Sequence, residues 1–258
     1  DASMVQDMPS AFNYGPTVGS DASWTDLGDN TAFEFADGEA FTMSCWVKYE
    51  NQKTGTHDEF IMGKGNFAGP STSEYYFTRY RTDGGVAQFV CHNGEGDAGT
   101  INSDEAIFTG GSAGVPADGP WHHLIGTRNT SNVCNFYVDG VQQTATVTVT
   151  GNIGVDNEHL GLGTRNNGGV PDTTGDYFQG YIRGARIYSS GLTAPECAQL
   201  FNDTYTDTTA LEGWWKLDVV DDYTDSSGNG RNGAQTVGDG YWNSSIYNLN
   251  QIGVGSIS

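Results

Sequence analysis

Between Phe41 and Lys48 apolar and polar residues alternate. Phe41, Met43, Cys45 and Val47 fall on one side of an extended chain, and Thr42, Ser44 and Lys48 on the other. A period of two marks a strand with one buried face. Trp46 falls on the polar side, which either a bulge or a surface position would explain. Related patterns predict strands over 59–62, 74–81 and 86–91. Residues 93–119, rich in Gly, Asp and Ser, read as a long loop with a short strand at the apolar patch 106–108. Stretches 121–127 and 133–138 predict a hairpin turning over 129–132. Asp139-Gly140 then makes a tight turn, since this pair tolerates the positive φ of hairpin loops. In the next strand, 141–149, Val141, Gln143, Ala145, Val147 and Val149 share the core side, and Gln142, Thr144, Thr146 and Thr148 face water. Strands over 159–163 and 177–188 follow. Thr193-Ala194-Pro195-Glu196 is a capping box opening the one predicted helix, 194–201. Residues 1–30, with Pro9 and Pro16, read as a loop-like arm.

Composition narrows the picture. The chain has 258 residues, enough for one large sandwich with a real core, and its 37 glycines suit many turns between short strands. Eleven basic against 32 acidic residues give a net charge of -21, which repels nucleic acid and anionic membrane. Such a surface suits a salty or extracellular medium, or one that holds calcium between chains. No run approaches the ~20 apolar residues of a spanning helix, and no cationic stretch followed by an apolar one marks a leader at the start. Cys45, Cys91, Cys134 and Cys197 are too widely spaced for a metal knuckle or a redox pair. The first three lie in apolar strands and the fourth on the helix, which predicts buried thiols. Spacing fixes no pairing.

Three segments carry a family likeness. They are Phe178-Gln179-Gly180-Tyr181-Ile182-Arg183-Gly184-Ala185-Arg186-Ile187-Tyr188 with its helix start, Phe41–Lys48, and Trp121-His122-His123-Leu124-Ile125-Gly126 running to Phe136-Tyr137-Val138-Asp139-Gly140. Over residues 31–203 the chain resembles the laminin-G-like, concanavalin A-like jelly-roll family. The resemblance implies an all-β fold, a two-sheet antiparallel jelly roll with one short helix. Residues 204–258 contain Trp214-Trp215-Lys216-Leu217-Asp218 and an acidic Gly-rich run, which look like the segment that normally opens such a domain. Displaced to the end, that segment would close a permuted sandwich, start a second repeat, or add a strand to a neighbour.

Candidate chemistry is thin. Hydrolases on this fold place paired carboxylates on one strand, whereas Glu34, Asp37 and Glu39 have the wrong spacing to converge on a glycosidic bond. His122 and His123 point to opposite faces of a strand and read as structural. Asp222, Asp225 and Asn229, with Asp176 from a second acidic loop, could supply oxygens to a structural Ca2+, or could simply form Asx-turns. Arg183 stands where the family often has an acidic residue, and the loop after Leu162-Gly163 lacks the acidic residues of the pentraxin calcium site. Trp24, Trp46, Tyr75 and Tyr80 are candidate sugar platforms, with Arg79 and Asn166 as polar partners. Tyr76, Trp242 and Arg81 share that reading.

These features favour a non-enzymatic extracellular or particle-surface module that binds glycans or partner proteins. A decoration subunit of a viral capsid or tail, assembled as a homo-oligomer or larger particle at the virion surface, is the alternative. A carbohydrate-active enzyme is the third reading.

Overall fold

The computed structural model describes residues 12–13, 24–49, 58–65, 74–81, 85–96, 98–107, 120–155, 157–164, 166–167, 170–171, 177–219, 222–237 and 241–242. Its elements, in chain order, begin with β1 (Phe12–Asn13), β2 (Trp24–Asp26), β3 (Phe41–Tyr49), β4 (Asp58–Gly65), β5 (Glu74–Arg81) and β6 (Val86–Asn93). Next come β7 (Ala98–Asn102), β8 (His122–Arg128), β9 (Val133–Val138), β10 (Val141–Thr148), β11 (Gly161–Leu162), β12 (Asn166–Asn167) and β13 (Val170–Pro171). The chain then forms β14 (Gly180–Tyr188), α1 (Ala194–Phe201), β15 (Leu211–Trp215), β16 (Ala234–Val237) and β17 (Tyr241–Trp242).

The strands pair antiparallel into two large sheets. Sheet I runs β10-β9-β8-β3-β14-β1-β17, with β15 also on β14; sheet II runs β16-β2-β11-β4-β5-β6-β7. The inward residues of β3, Phe41 to Val47, face Ile61, Met62, Tyr76, Phe89 and Cys91 of sheet II in one core cluster. This is the jelly-roll sandwich that the family resemblance implied, with one short helix. Glu196 accepts the Thr193 N–H at 2.7 Å, which anchors α1 at its first turn. Cys197 and Leu200 of the helix then bury against Ile125, Tyr137 and Tyr188 on the outer face of sheet I.

Three local expectations change, and the open alternative at Trp46 is decided. Residues 12–13 and 24–26, read as loop, are strands; β2 pairs with both β11 and β16, and Trp24 and Thr25 are fully buried. The short strand in the long loop is 98–102, not 106–108. Its inward positions are Gly99 and Ile101, so only one side chain betrays the pattern. Glycine is required at 99, where a Cβ would come within 2.3 Å of Val147 on β10. In β10 the expected apolar face does not all turn inward. The pairing with β9 shifts register between Gln142 and Thr146, and Val141 is 66% exposed. Trp46 needs no bulge: β3 is regular, and the indole lies outward beneath Phe201, stacked on His123 at 4.8 Å.

Candidate functional site

On sheet II the side chains that point away from the core form ordered rungs across neighbouring strands. Arg79 pairs with Gln88, and Gln88 with Asn102, across β5, β6 and β7. The pairing carries a continuous chain of side-chain hydrogen bonds. Arg79 Nη1 donates to Asp58 Oδ2 at 2.5 Å, and Arg79 Nε donates to Gln88 Oε1 at 2.6 Å. Gln88 Nε2 then donates to Asn102 Oδ1 at 2.6 Å. Arg81 Nε lies 3.6 Å from the other oxygen of Asp58, so two guanidinium groups flank one carboxylate. Charge-assisted bonds of this kind fix side-chain direction as well as adding stability.

An apolar zone begins one rung along. Phe60, Phe77 and Val90 cluster, with Phe60 and Phe77 ring centroids 4.3 Å apart and Arg79 lying 5.5 Å over the Phe77 ring. Beyond them Tyr75 stacks on His92 at 4.8 Å and 14°. Phe60, Phe77 and His92 are buried, whereas Tyr75 is half-buried and keeps part of its ring at the surface. Burial raises the Tyr75 pKa, opposed by the charge of Arg79, so the phenol stays protonated and able to donate. Arg79 and Gln88 are buried, so the row reaches the surface through Asp58 and Asn102, held in place by the two between them, with Tyr75 beside it. That combination suits a sugar, whose C–H face packs on aromatics while its hydroxyls need directed hydrogen bonds.

Of the residues singled out from sequence, Tyr75 and Arg79 share this face because they lie four apart on β5, with Phe77 between them. Gln88, Asn102 and Asp58 were missed; they sit on other strands, and only the register brings them into the row. Trp24 is fully buried against Gly161, and Tyr80, 1% exposed, fills the core, so neither can serve as a platform. Trp46 lies on sheet I, under the helix. Asn166 belongs to the separate β12–β13 ladder opposite Pro171, with its side chain outside the described residues, as are Asp176 and the side chain of Trp242.

The acidic Gly-rich loop is organised by N–H and hydroxyl donors. Asp225 Oδ1 accepts from Trp214 N and Ser227 N at 3.0 and 2.8 Å. Its Oδ2 accepts from Arg231 N at 3.0 Å and from the Ser227 hydroxyl at 2.8 Å. Burial would raise the Asp225 pKa, yet the bonds from Ser227, Trp214 and Arg231 outweigh it and hold the carboxyl below its usual range. Asp222 caps Thr224 N at 2.9 Å, and Asn229 Nδ2 donates to Leu211 O at 2.8 Å. Asn229 therefore points donors, not an oxygen, at its neighbours. Among the described residues no group of three His, Cys, Asp or Glu side chains is poised to hold a metal ion.

A cleft of about 660 Å³ opens beside the turn at Asn129 and Thr130, lined also by Glu34, Glu39, Ser189 and Glu212. Its carboxylates are committed. Glu39 caps Ala36 N at 2.8 Å, Glu212 holds Ser189 Oγ at 2.7 Å and Arg231 at 3.1 Å, and Glu34 lies 4.0 Å from the buried Lys64. Asp37 accepts from Gly151 N and Asn132 Nδ2 and does not line this cleft.

Fold and strand order define a lectin-type β-sandwich. A family profile described as the concanavalin A-like lectin/glucanases superfamily matches residues 19–198, and the chain belongs to that superfamily. No curated protein matches its sequence. A candidate carbohydrate-binding protein from Bacteroides ovatus is similar in structure, with a TM-score of 0.55 at 15% identity over 89% of this chain. The chain spans 58% of that protein. The CBM40 of a Ruminococcus gnavus IT-sialidase gives 0.50 at 14% identity, covering 74% of this chain and 97% of the module. The binding domain of botulinum neurotoxin serotype G gives 0.52 at 12% identity, covering 75% of this chain and 44% of that one. At such identities the likeness is one of fold.

Proposed function

We propose that this chain is a non-catalytic glycan-binding module acting outside the cell or on a particle surface, and that it binds through the outer face of sheet II. The observation that carries this reading is the Asp58–Arg79–Gln88–Asn102 row running beside the Tyr75–His92 stack. The outer face of sheet I carries α1, whereas on sheet II Asp58 and Asn102 of the row, and Tyr75 beside it, reach the surface. A net charge of -21 is compatible with exposure to a saline medium and disfavours polyanionic partners. The carboxylates of the cleft are engaged in turns and ion pairs, which supports binding without turnover.

A glycan array with the intact chain tests the proposal. Specific hits should weaken at least tenfold in both Tyr75→Ala and Arg79→Ala, with the far-UV spectrum preserved. Hits indifferent to both substitutions, or release of reducing ends from the bound glycan, would overturn it.

A further inference from the structure

Cys91 on β6 and Cys134 on β9 belong to opposite sheets and meet across the core. Both are fully buried and reduced, with their sulfurs 3.7 Å apart. The other two thiols are engaged elsewhere, Cys45 with the Thr78 side chain and Cys197 with Leu192 O at 3.8 Å. We propose that Cys91 and Cys134 are a latent inter-sheet disulfide that closes by exchange with a small-molecule disulfide.

The step balances without a metal or cofactor. One protein thiolate attacks the small disulfide, forms a mixed disulfide and expels the first small thiolate. The second protein thiolate then attacks the protein sulfur of that bond and expels the other. One S–S bond forms in the protein and one breaks in the oxidant. The oxidant gains two electrons, and the two protons leave with the released thiols.

The surroundings set the rate. Burial pushes the Cys91 thiol well up, Cys134 adds to this, and the Arg128 charge opposes both. Arg128 is the cross-strand partner of Cys134, is fully buried, and has hydrogen bonds on Nη2 but none on Nε or Nη1. Its cation therefore sits beside the dithiol with part of its charge available to a forming thiolate. In the closed sandwich the thiols stay protonated, so exchange waits on local opening or takes place during folding. The bond would tie two sheets together across residues 43 apart in sequence, a closure long enough to stabilise markedly.

The test uses the full chain with oxidised glutathione, both added to folded protein and present during refolding from denaturant. Alkylation of the remaining thiols and peptide mapping follow. The expected result is loss of the mass of two hydrogens, one Cys91–Cys134 cross-linked peptide, reversal by dithiothreitol, and a melting temperature higher by roughly 5–10 °C. Cys134→Ser should abolish the mass change and Cys45→Ser should not. Four alkylatable cysteines after refolding in the oxidant, or a cross-link through Cys45 or Cys197, would overturn the proposal. Should Cys134→Ser fail to fold, the wild-type peptide map decides alone.

Discussion

At the scale of single residues, His123 shows how burial fixes a protonation state. It packs in a cluster with Trp46 and Phe201, and burial, aided by the charges of Arg186 and Arg183, lowers its pKa from 6.5 to about 3. The unfolded chain takes up that proton near 6.5 while the folded chain refuses it down to about 3. Stability from this residue is thus complete above 6.5 and is lost as pH falls towards 3, by at most ~1.4 kcal/mol per pH unit. Urea midpoints at pH 7 and pH 4 should lie further apart in the wild type than in His123→Phe. Equal differences would show that the imidazole does not sense the interior.

Gly184 is the second residue whose role is conformational. Its φ of +57° allows the register of β14 against β3 to shift between Arg183 and Arg186. Ile182 and Ala185 consequently both reach the core, while Arg183 stacks 4.3 Å over Trp121 and Arg186 lies 4.5 Å over Trp214. Gly184→Ala should cost about 1–2 kcal/mol in chemical denaturation, from the left-handed conformation alone. No change would mean that the strand can drop its bulge. In sequence, the spacing of Tyr75 and Arg79 was readable, because residues four apart in a strand, an even number, lie on one face. Their partners Asp58, Gln88 and Asn102 were not, since short polar side chains on three strands carry no periodic signal.

Among the elements, α1 was the most legible, because its start is written in local chemistry. The Glu196 carboxylate accepts from both the N–H and the hydroxyl of Thr193, and Pro195 in the first turn brings no N–H that needs a partner, all without help from the rest of the fold. Which sheet it covers is a tertiary matter, settled by Cys197 and Leu200 meeting Ile125, Tyr137 and Tyr188. Leu200→Ala should destabilise the protein by about 2–4 kcal/mol through the void it leaves. A thermal melt that moves by less than a degree would refute that packing. β7 and β10 were read less well for one shared reason. A Gly at an inward position and a register shift both hide the period of two, and both arise where these two edge strands pack together.

The loop at 222–231 belongs to the same scale. Asp225 collects four hydrogen bonds that fasten the loop to Trp214 and Arg231, and its depressed pKa makes that contribution present at neutral pH and lost on acidification below about pH 4. Asp225→Ala should lower the melting temperature by several degrees, equally in calcium and in chelator. A wild-type melting point that rises with calcium and falls with chelator would instead assign the loop to a metal, as the acidic sequence allows.

For the whole molecule, the segment after the helix is built into the sandwich. β15 pairs with β14, Trp215 is fully buried and packs edge-on against Phe33, and β16 lies beside β2. Removing residues 204–258 would expose the flank of β14 and the indole's pocket, so the truncated chain should aggregate on expression. A soluble, monomeric truncation melting at the wild-type temperature, by light scattering and calorimetry, would contradict this. The sequence by itself determined the class of fold, the helix and the side of each regular strand. The helix and the strand faces follow from capping and periodicity, which are properties of neighbours along the chain, and the class of fold from the three motifs that resemble the family. The tertiary structure alone decided which aromatics are core, which thiols meet, and which polar residues line up on sheet II. Each of these depends on strand register and on how two sheets face each other, and such pairings across dozens of residues leave no local trace.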